Sequence, residues 1–453
     1  MDYYTRFSAR ASLGAVGKHM QRMGLWKRVG KYVQIRQKVI KYTPSDKLLD
    51  AFINILAGGH GLVEVNRRVK SDEALQRAFG RTGCADQSTI SDTLNACTEE
   101  NVQQMRQGLA EIYRSYGRGY RHIYREQAQI LDVDMTGMPA GRQGEGVEKG
   151  YFSGKKNCRG CQLGRVVATS YDEIVVDRLY PGKRQLERSL QDLVKAAEQV
   201  LGLGKARRRR TIVRSDGGGG RDADINWLLN RGYLTLIKVK NWQRARKLAQ
   251  SVKTWYRDPK TGDREVGLVE DPHAYDKPTR QVALRIPKKG GGYHYRVLVF
   301  NLSDSQLSWL ARQDLSQVSD SARVQFAAIY AYDLRSGGVE TSIKGSKQGL
   351  GLTKRNKKRF AAQEMLVLLA QLAYNLFIWT RNLLAGPAPK LRSFGLLRMF
   401  RDIFHICGRV QFDAQGYVLE ITLNQADELA QPFINGLAPY WPRDGTCLSL
   451  GQI

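Results

Sequence analysis

An aspartate stands where an apolar stretch of the chain gives way to four consecutive glycines. The stretch "TIVRSD" has the character of a buried β-strand, and it places Asp216 directly before the glycines at 217–220. A carboxylate at the end of a buried strand either caps a following helix or takes part in chemistry. Asp222 and Asp224 stand nearer to the start of the next predicted helix and are better placed to cap it. The sequence therefore favours a chemical role for Asp216.

A second group of side chains that could do chemistry lies in "VETSIKGSKQGL". Glu340, Lys344 and Lys347 are spaced four and seven residues apart, so a helix presents them on one face. A carboxylate supplies oxygen to a metal ion, and lysines bind phosphate as point charges. This stripe therefore suits a metal ion together with a phosphate group.

Further acids lie on the predicted strand "QILDVDMTG" at residues 129–137. Side chains of a strand alternate between its two faces, so Asp132, Asp134 and Thr136 share one face and the apolar residues between them share the other. From their positions on the strand, either aspartate could act together with Asp216. The strand alone leaves this choice open.

The elements that must position these acids follow a recognisable order. From about residue 125 to residue 240 the pattern predicts β-β-β-α-β-α-β, which is the order of a ribonuclease H-like domain with a mixed α/β sheet. Such a sheet gathers carboxylates from separated strands at one end. Residues 241–326 interrupt the pattern with strand-like segments, and we expect them to leave the sheet and return before Tyr332.

Domain boundaries follow from these changes of pattern. An N-terminal helical region contains a helix, a glycine-containing turn and a second helix, which is typical of a helix-turn-helix or of an ordinary helical hairpin. In a helix-turn-helix, Gln87, Ser88, Thr89 and Ser91 would face DNA. The predicted domains are 1–122 (helical DNA-binding region), 123–240 (first part of the catalytic domain), 241–326 (β-rich insertion), 327–386 (catalytic-domain helices with the third acid) and 387–453 (small C-terminal α+β tail).

Composition limits the class of partner. The chain of 453 residues carries 72 Lys and Arg against 43 Asp and Glu, which gives a formal charge of +29. So large a basic excess predicts a polyanionic partner, although it does not separate an enzyme from a passive binder. "CRGC" at 158–161 offers two of the four ligands that structural zinc needs, so a zinc site is the less favoured interpretation. The apolar run at 364–380 contains Gln371 and Asn375 and predicts a buried helix.

Taken in order along the chain, these motifs resemble the DDE transposases of bacterial insertion sequences. The resemblance covers roughly residues 125–385 and rests on a strand with "DMT", a strand ending in "RSDGGGG", a strand-rich insertion and the helix with the glutamate. It is specific to the branch with a Tyr-Arg-Glu-Lys signature. That branch has two, three and six residues between successive signature positions, whereas Tyr332, Arg335, Glu340 and Lys347 are separated by two, four and six.

The resemblance implies a site and a reaction. Family members place Thr or Ser two residues after the first acid, so Thr136 selects Asp134 over Asp132. Asp134, Asp216 and Glu340 would then be the catalytic residues and the ligands of two Mg²⁺ ions, with Mn²⁺ as a possible substitute, in two-metal phosphoryl transfer. The DNA-binding residues implied by the signature and its helix are Tyr332, Arg335, Lys344 and Lys347.

The implied activity is cut-and-paste transposition, with metal-dependent cleavage of DNA at transposon ends and strand transfer into target DNA. The partners would be double-stranded DNA, as terminal inverted repeats and target, and a second copy of the chain in a homodimer. No secretory signal is visible, so we expect a cytoplasmic, nucleoid-associated prokaryotic protein without a membrane partner. Two alternatives stay open: a metal-dependent nuclease without strand transfer, and a transposase-derived DNA-binding protein.

Overall fold

The computed structural model describes residues 3–152, 157–313, 315–316 and 318–453. The chain divides into two compact units, each assembled from separate stretches of sequence. The helical unit comprises Met1–Gly117, Pro139–Val147 and Ile343–Ile453. The sheet unit comprises Arg118–Met138 and Glu148–Ser342.

The secondary structure is mixed α/β, as predicted. The strands are β1 (Tyr3–Ser8), β2 (Gln129–Pro139), β3 (Glu148–Lys149), β4 (Arg159–Ala168), β5 (Glu173–Pro181), β6 (Thr211–Ser215), β7 (Leu234–Lys238), β8 (Tyr256–Arg257), β9 (Glu265–Leu268), β10 (Arg280–Pro287), β11 (Tyr293–Phe300), β12 (Gly408–Asp413), β13 (Val418–Asn424) and β14 (Cys447–Gly451). The helices are α1 (Ala11–Met23), α2 (Leu25–Tyr32), α3 (Pro44–Leu56), α4 (Val65–Arg68), α5 (Glu73–Ala78), α6 (Gln87–Asn95), α7 (Glu99–Tyr116), α8 (Leu190–Leu201), α9 (Lys205–Arg208), α10 (Asp222–Asn230), α11 (Trp242–Gln250), α12 (Asp304–Ala311), α13 (Asp320–Asp333), α14 (Thr341–Gln348), α15 (Phe360–Leu384), α16 (Leu396–Arg398) and α17 (Ala430–Leu437).

The sheet unit contains the predicted ribonuclease H-like arrangement. Its neighbouring strands run in the order β5-β4-β2-β6-β7, in which β4 and β5 are antiparallel and β2, β6 and β7 are parallel. Helix α8 connects β5 to β6, and helix α10 connects β6 to β7. The expected β-β-β-α-β-α-β order and the mixed sheet are confirmed.

The segment 241–326 does not leave the sheet, and our expectation on this point was wrong. Strand β11 pairs antiparallel with β7, and β10, β9 and β8 follow it outward. Without β11, β7 would be an edge strand with unpaired backbone groups. The consecutive apolar residues Val297–Phe300 are all buried, which is the pattern of an interior strand and explains why β11 continues the sheet.

The core of the sheet unit forms where helix α13 packs on the sheet. A continuous apolar cluster joins Ile212 of β6, Leu236 of β7 and Leu298 of β11 to the α13 residues Phe326 and Ile329. Each of these side chains is at most 2 % exposed. This packing fixes the end of α13, from which the chain continues toward Glu340.

The helical unit is built around α15. This helix is long and apolar enough to span a membrane, yet 94 % of its apolar window is buried inside the protein. The prediction of a buried helix at 364–380 is therefore confirmed. A small sheet in the order β1-β12-β13-β14 completes the unit, and β12 and β13 form the antiparallel hairpin that the tail sequence predicts.

Candidate active site

Two of the predicted acids lie at one edge of the sheet. In the parallel pair β2 and β6, Val133 lies opposite Ser215. Asp134 and Asp216 are the next residues on their respective chains. Asp134 and Asp216 therefore lie side by side where the pairing of the two strands ends, although 82 positions separate them in the sequence.

Asp216 caps a short turn made by the glycines. Its Oδ1 accepts a hydrogen bond of 2.8 Å from the backbone N–H of Gly218, within the 3-10 turn Gly217–Gly219. Helix α10 begins six residues further on, with Arg221 as its N-cap and no side-chain cap hydrogen bond. Asp216 is thus not the cap of α10, which was the alternative to a chemical role.

The glycines are required by close packing inside the protein. A Cβ on Gly220 would lie 2.0 Å from the carbonyl oxygen of Lys238, and one on Gly219 would lie 2.4 Å from Leu190 Cδ1. The contact with the Lys238 carbonyl, which is backbone, excludes a side chain at position 220, whereas a side chain at position 219 would require the Leu190 side chain to move. The loop thereby brings Asp216 directly beside the end of β7.

The two aspartates of β2 have different surroundings. Asp132 is fully buried, receives two hydrogen bonds of 2.7 and 2.8 Å from the Arg214 guanidinium, and accepts a third of 2.6 Å from the Thr169 hydroxyl. The side chain of Asp134 is 14 % exposed, and its Oδ1 accepts from the backbone N–H of Met135 at 2.8 Å. Asp132 is engaged in a closed network, whereas Asp134 lies at the open edge.

Arg335 joins the first predicted acid to the third. Its Nη1 donates to Asp134 Oδ2 at 3.2 Å, and its Nη2 donates to Glu340 Oε1 at 3.0 Å. The Arg335 side chain is only 6 % exposed, while that of Glu340 is 53 % exposed. A buried guanidinium therefore lies between two carboxylates, one of which is open to solvent.

The extra residue between Arg335 and Glu340 is accommodated by a π-helical turn. Ser336–Glu340 adopts this conformation between α13 and α14. A π turn closes an i→i+5 hydrogen bond and so contains one more residue than an α turn. Arg335 and Glu340 consequently pair across five positions as residues four apart do in a regular helix. Signature spacing and observed contact are reconciled by this turn.

Tyr332 and Lys238 complete the surroundings of Arg335 and Asp216. The guanidinium of Arg335 lies 5.9 Å from the centre of the Tyr332 ring, and burial together with the Asp216 carboxylate raises the pKa of Tyr332 to about 12. Lys238 is partly buried at the end of β7, and burial lowers the pKa of its amine, although Asp216 opposes this shift. Tyr332 therefore stays neutral at physiological pH.

Sequence reasoning missed Lys238. Ile237 lies opposite Ser215 in the parallel pair β6 and β7, so Lys238, the last residue of β7, lies beside Asp216, which directly follows β6. The signal was the lysine at the end of the apolar run "YLTLIK", because polar residues that follow neighbouring parallel strands meet at one edge.

Burial of the charged groups shifts their pKa values at this site. Burial raises the pKa of Asp134 above its ordinary range, with Arg335 opposing the shift and Asp216 adding to it. Burial disfavours the charge of Arg335, yet the carboxylates, Asp134 foremost, raise its pKa above the usual value. The charge on Arg335 therefore stabilises the ionised form of Asp134, and the charge on Asp134 stabilises that of Arg335.

The residue types of the predicted acids suit divalent ions. Asp134, Asp216 and Glu340 offer only oxygen, the donor that Mg²⁺ and Mn²⁺ accept. In the described residues no group of three or more His, Cys, Asp or Glu side chains is gathered closely enough to hold a metal ion. The positive charge between Asp134 and Glu340 is supplied by Arg335.

The remaining predicted residues belong to the helical unit, and their assigned roles are not tested. Lys344 and Lys347 lie on α14, whose residues from Ile343 onward belong to the helical unit. On α6, Ser88 and Thr89 are exposed, and Ser91 accepts a hydrogen bond of 2.5 Å from Lys357 Nζ. The DNA-binding roles assigned to these two groups stay predictions.

Comparison with known proteins identifies the family. The cryo-EM structure of a piggyBac transposase synaptic complex with hairpin DNA is similar, with 13% identity, coverage of 94% of this chain and 86% of that chain, and a TM-score of 0.47. A search of curated proteins yields no match. The family model described as "Transposase DDE domain group 1" matches residues 6–426. Since that match spans nearly the whole sequence, the chain belongs to the DDE transposases of domain group 1.

Proposed function

We propose that this transposase catalyses cut-and-paste transposition of a bacterial insertion sequence and belongs to the Tyr-Arg-Glu-Lys branch. The observation that carries the proposal is the bridge from Asp134 through Arg335 to Glu340, at the edge where Asp216 also lies. It supports three acids and the signature arginine acting as one site.

In this proposal Asp134, Asp216 and Glu340 hold two Mg²⁺ ions, for which Mn²⁺ can substitute. Bound there, the ions would activate the attacking oxygen and stabilise the leaving oxygen of a phosphodiester. Three carboxylates that converge on one edge repel one another unless positive charge lies among them. Arg335 supplies part of that charge when the ions are absent.

In this proposal Arg335 binds the carboxylates first and a DNA phosphate afterwards. The guanidinium presents N–H groups in a fork that matches carboxylates and phosphates equally well. Once the carboxylates are neutralised by ions, the fork can donate to a phosphate of the DNA. Tyr332 is protonated at physiological pH and can donate its hydroxyl proton to a phosphate oxygen. Lys344 and Lys347 bind DNA phosphates from α14.

The proposed reaction has two steps that use the same chemistry. First, a water oxygen bonds to phosphorus at the transposon end, the bond to the 3′-oxygen breaks, and that oxygen takes up a proton. Second, the free 3′-hydroxyl loses its proton, bonds to a phosphorus of the target, and displaces the target's own 3′-oxygen, which takes up a proton. The partners are the terminal inverted repeats and target DNA.

The assembly and location belong to the same proposal. Two copies of the chain pair two transposon ends in a homodimer, in the cytoplasm of a prokaryote and associated with its nucleoid. The helical region 1–122 and the α14 lysines are the proposed contacts with end DNA. The divisions 123–240, 241–326, 327–386 and 387–453 remain the proposed functional boundaries.

The test is a paired cleavage and strand-transfer assay. A duplex that carries the repeat flanking the gene is incubated with the protein and Mg²⁺, with and without a supercoiled target plasmid. Cleavage with joining to the plasmid supports transposition, and cleavage without joining supports a nuclease. Repeat binding without either product would indicate a DNA-binding protein that has lost its chemistry.

A further inference from the structure

A group of exposed cations lies at the amino ends of β2 and β6. We define it as the amino-end surface: Arg125, Lys205, Arg207, Arg209 and Arg210. Strands β2 and β6 are parallel and start in register, with Gln129 opposite Thr211. The five cations directly precede these two starts in the chain, so one edge of the sheet collects them.

Local contacts hold this surface in place. The guanidinium of Arg210 donates to the carbonyl oxygens of Tyr124 and Arg125, at 2.7 and 3.3 Å. Arg207 lies 5.5 Å from the centre of the Tyr124 ring, and its carbonyl accepts from the Thr211 hydroxyl. These contacts join the backbone at residues 124–125 to the segment 207–211, which leads into β6.

The charge of the amino-end surface is not neutralised locally. None of its five cations forms an ion pair with a carboxylate in the part of the chain that the structure describes. Neighbouring Arg208 differs, since it pairs with Glu198, which also binds Arg231. Glu126 is an exposed carboxylate beside the surface and offsets one charge. Several like charges this close repel one another and favour a polyanion.

The surface points away from the acids. Asp134 follows the part of β2 that pairs with β6, and Asp216 follows the carboxyl end of β6, whereas the cations precede the amino ends of both strands. Strand β6 has five residues, which span about 17 Å. A duplex whose phosphodiester lies among the acids therefore meets one end of these strands and leaves the other end free.

We propose that the amino-end surface binds the phosphate backbone of a second DNA duplex, distinct from the one being cut. Arginine forks bind phosphate bidentately, and a row of them recognises a backbone without reading its sequence. This inference rests on the proposed function, because strand transfer requires two duplexes on the protein at once. It adds where the second duplex binds.

The test neutralises three cations that make no side-chain contact needed by the sheet. The triple variant Arg125→Gln, Lys205→Gln and Arg209→Gln is compared with a control of equal charge change, Lys277→Gln, Lys288→Gln and Lys289→Gln, which alters exposed lysines on either side of β10. Binding of a labelled random-sequence duplex is measured as salt is varied, without divalent ions. The logarithmic salt slope should fall by about 3 in the triple variant, and affinity should drop at least about tenfold.

A bridging assay then addresses the second duplex. One immobilised duplex carries the repeat, and a second, labelled random-sequence duplex is captured only if the protein holds both. The wild type and the control should capture it, and the triple variant should retain the immobilised duplex while losing capture.

The outcomes separate this inference from the proposed function. Unchanged salt slope and capture in the triple variant would overturn the inference, whether or not the protein cleaves DNA. An equal loss in the control would also overturn it, because the effect would then be one of net charge. Loss in the triple variant alone, from a protein that never cleaves the repeat, would leave the DNA surface standing and refute the transposition proposal.

Discussion

Asp132 and Asp134 lie two residues apart on β2, and each forms an ion pair with an arginine. The two ion pairs differ in how far they are buried. Asp132 and Arg214 are both buried, and the Thr169 hydroxyl and the carbonyl of Ala331 take up further bonding capacity of the pair. Asp134 is partly exposed, and the buried Arg335 shares its guanidinium between Asp134 and the solvent-exposed Glu340. The closed pair is buried and contacts only groups of the protein, whereas the open pair includes a solvent-exposed carboxylate and can exchange partners.

The closed pair also supports the open one. Arg214 bonds the last turns of α13 through Ala331, and a Cβ on Gly338 would lie 2.8 Å from Asp132 Oδ2. The π turn that carries Glu340 therefore packs directly on the Asp132 carboxylate. A buried, hydrogen-bonded ion pair thus supports the turn on which the exchangeable pair is presented. Disrupting the closed pair should therefore lower stability, whereas disrupting the open pair should change the chemistry.

The largest expected effect is on chemistry at the open edge. Asp134→Asn or Asp216→Asn should lower the rate of Mg²⁺-dependent strand cleavage about a thousandfold or more, since each change removes a proposed metal ligand worth several kcal/mol in the transition state. Single-turnover cleavage measures the rate, and gel shift measures binding of the repeat, which should change little. The control is Asp320→Asn, whose side chain is 88 % exposed. Full cleavage by Asp216→Asn would remove that residue from the site.

The next effect is on stability at the closed pair. Asp132→Asn leaves the Arg214 charge buried without its partner, so the free energy of unfolding should fall by about 3–5 kcal/mol. Urea unfolding followed by circular dichroism measures the change. The double variant Asp132→Asn and Arg214→Met removes both charges and should recover much of the loss. An unchanged unfolding midpoint combined with abolished cleavage would instead make Asp132 the first ligand.

A smaller effect should appear when the open pair loses its cation. Arg335→Gln removes the charge that competes with an ion for Asp134 and Glu340. Mn²⁺ affinity of the DNA-free protein should therefore rise about tenfold, which corresponds to the free energy of about one charge-assisted hydrogen bond. Affinity for the repeat should fall in the same variant. Mn²⁺ binding is measured by electron paramagnetic resonance, with Arg323→Gln as the control at an exposed site. Weaker Mn²⁺ binding would show that Arg335 does not stand in for a cation.

The smallest effect is a pH dependence specific to Asp134. Burial raises its pKa in the folded protein, so the folded state binds the proton more tightly than the unfolded state does. The contribution of this group to stability is therefore present at low pH and is lost as pH rises from about 3.9 through the folded-state pKa. Unfolding temperatures without divalent ions should show this loss in the wild type and not in Asp134→Asn. Identical pH profiles for the two proteins would contradict the shift.

The sequence predicted the sheet well because alternation and turn residues are local signals. The strands that carry Asp134 and Asp216, and their order, follow from apolar runs of matching length. The environments of Asp132 and Asp134 could not be separated in this way, because the difference depends on Arg214 and Thr169, which lie 82 and 37 residues from Asp132. Strand alternation assigns a face and carries no information about which partners the fold brings there.

Two other features needed the three-dimensional structure for similar reasons. Strand β11 joins β7 from 55 residues beyond its end, and no local pattern distinguishes a strand that extends a sheet from one in a separate insertion. The Arg335 bridge required the π turn, because a regular α-helix would rotate Glu340 away by one position. The acids and Arg335 were predictable as candidates, whereas the position of Arg335 between two of the acids was not.

The π turn has a consequence for how such chains are related by descent. It absorbs one surplus residue within a single helical turn, and a Cβ placed on Gly337 would have no neighbour within 4 Å, so the turn is not closely packed at that position. Insertion or deletion of one residue here changes the interval between arginine and glutamate without separating their side chains. Sequence patterns written with a fixed interval would therefore pass over homologues that differ only by this local accommodation, and a pattern that allows either interval would recover them.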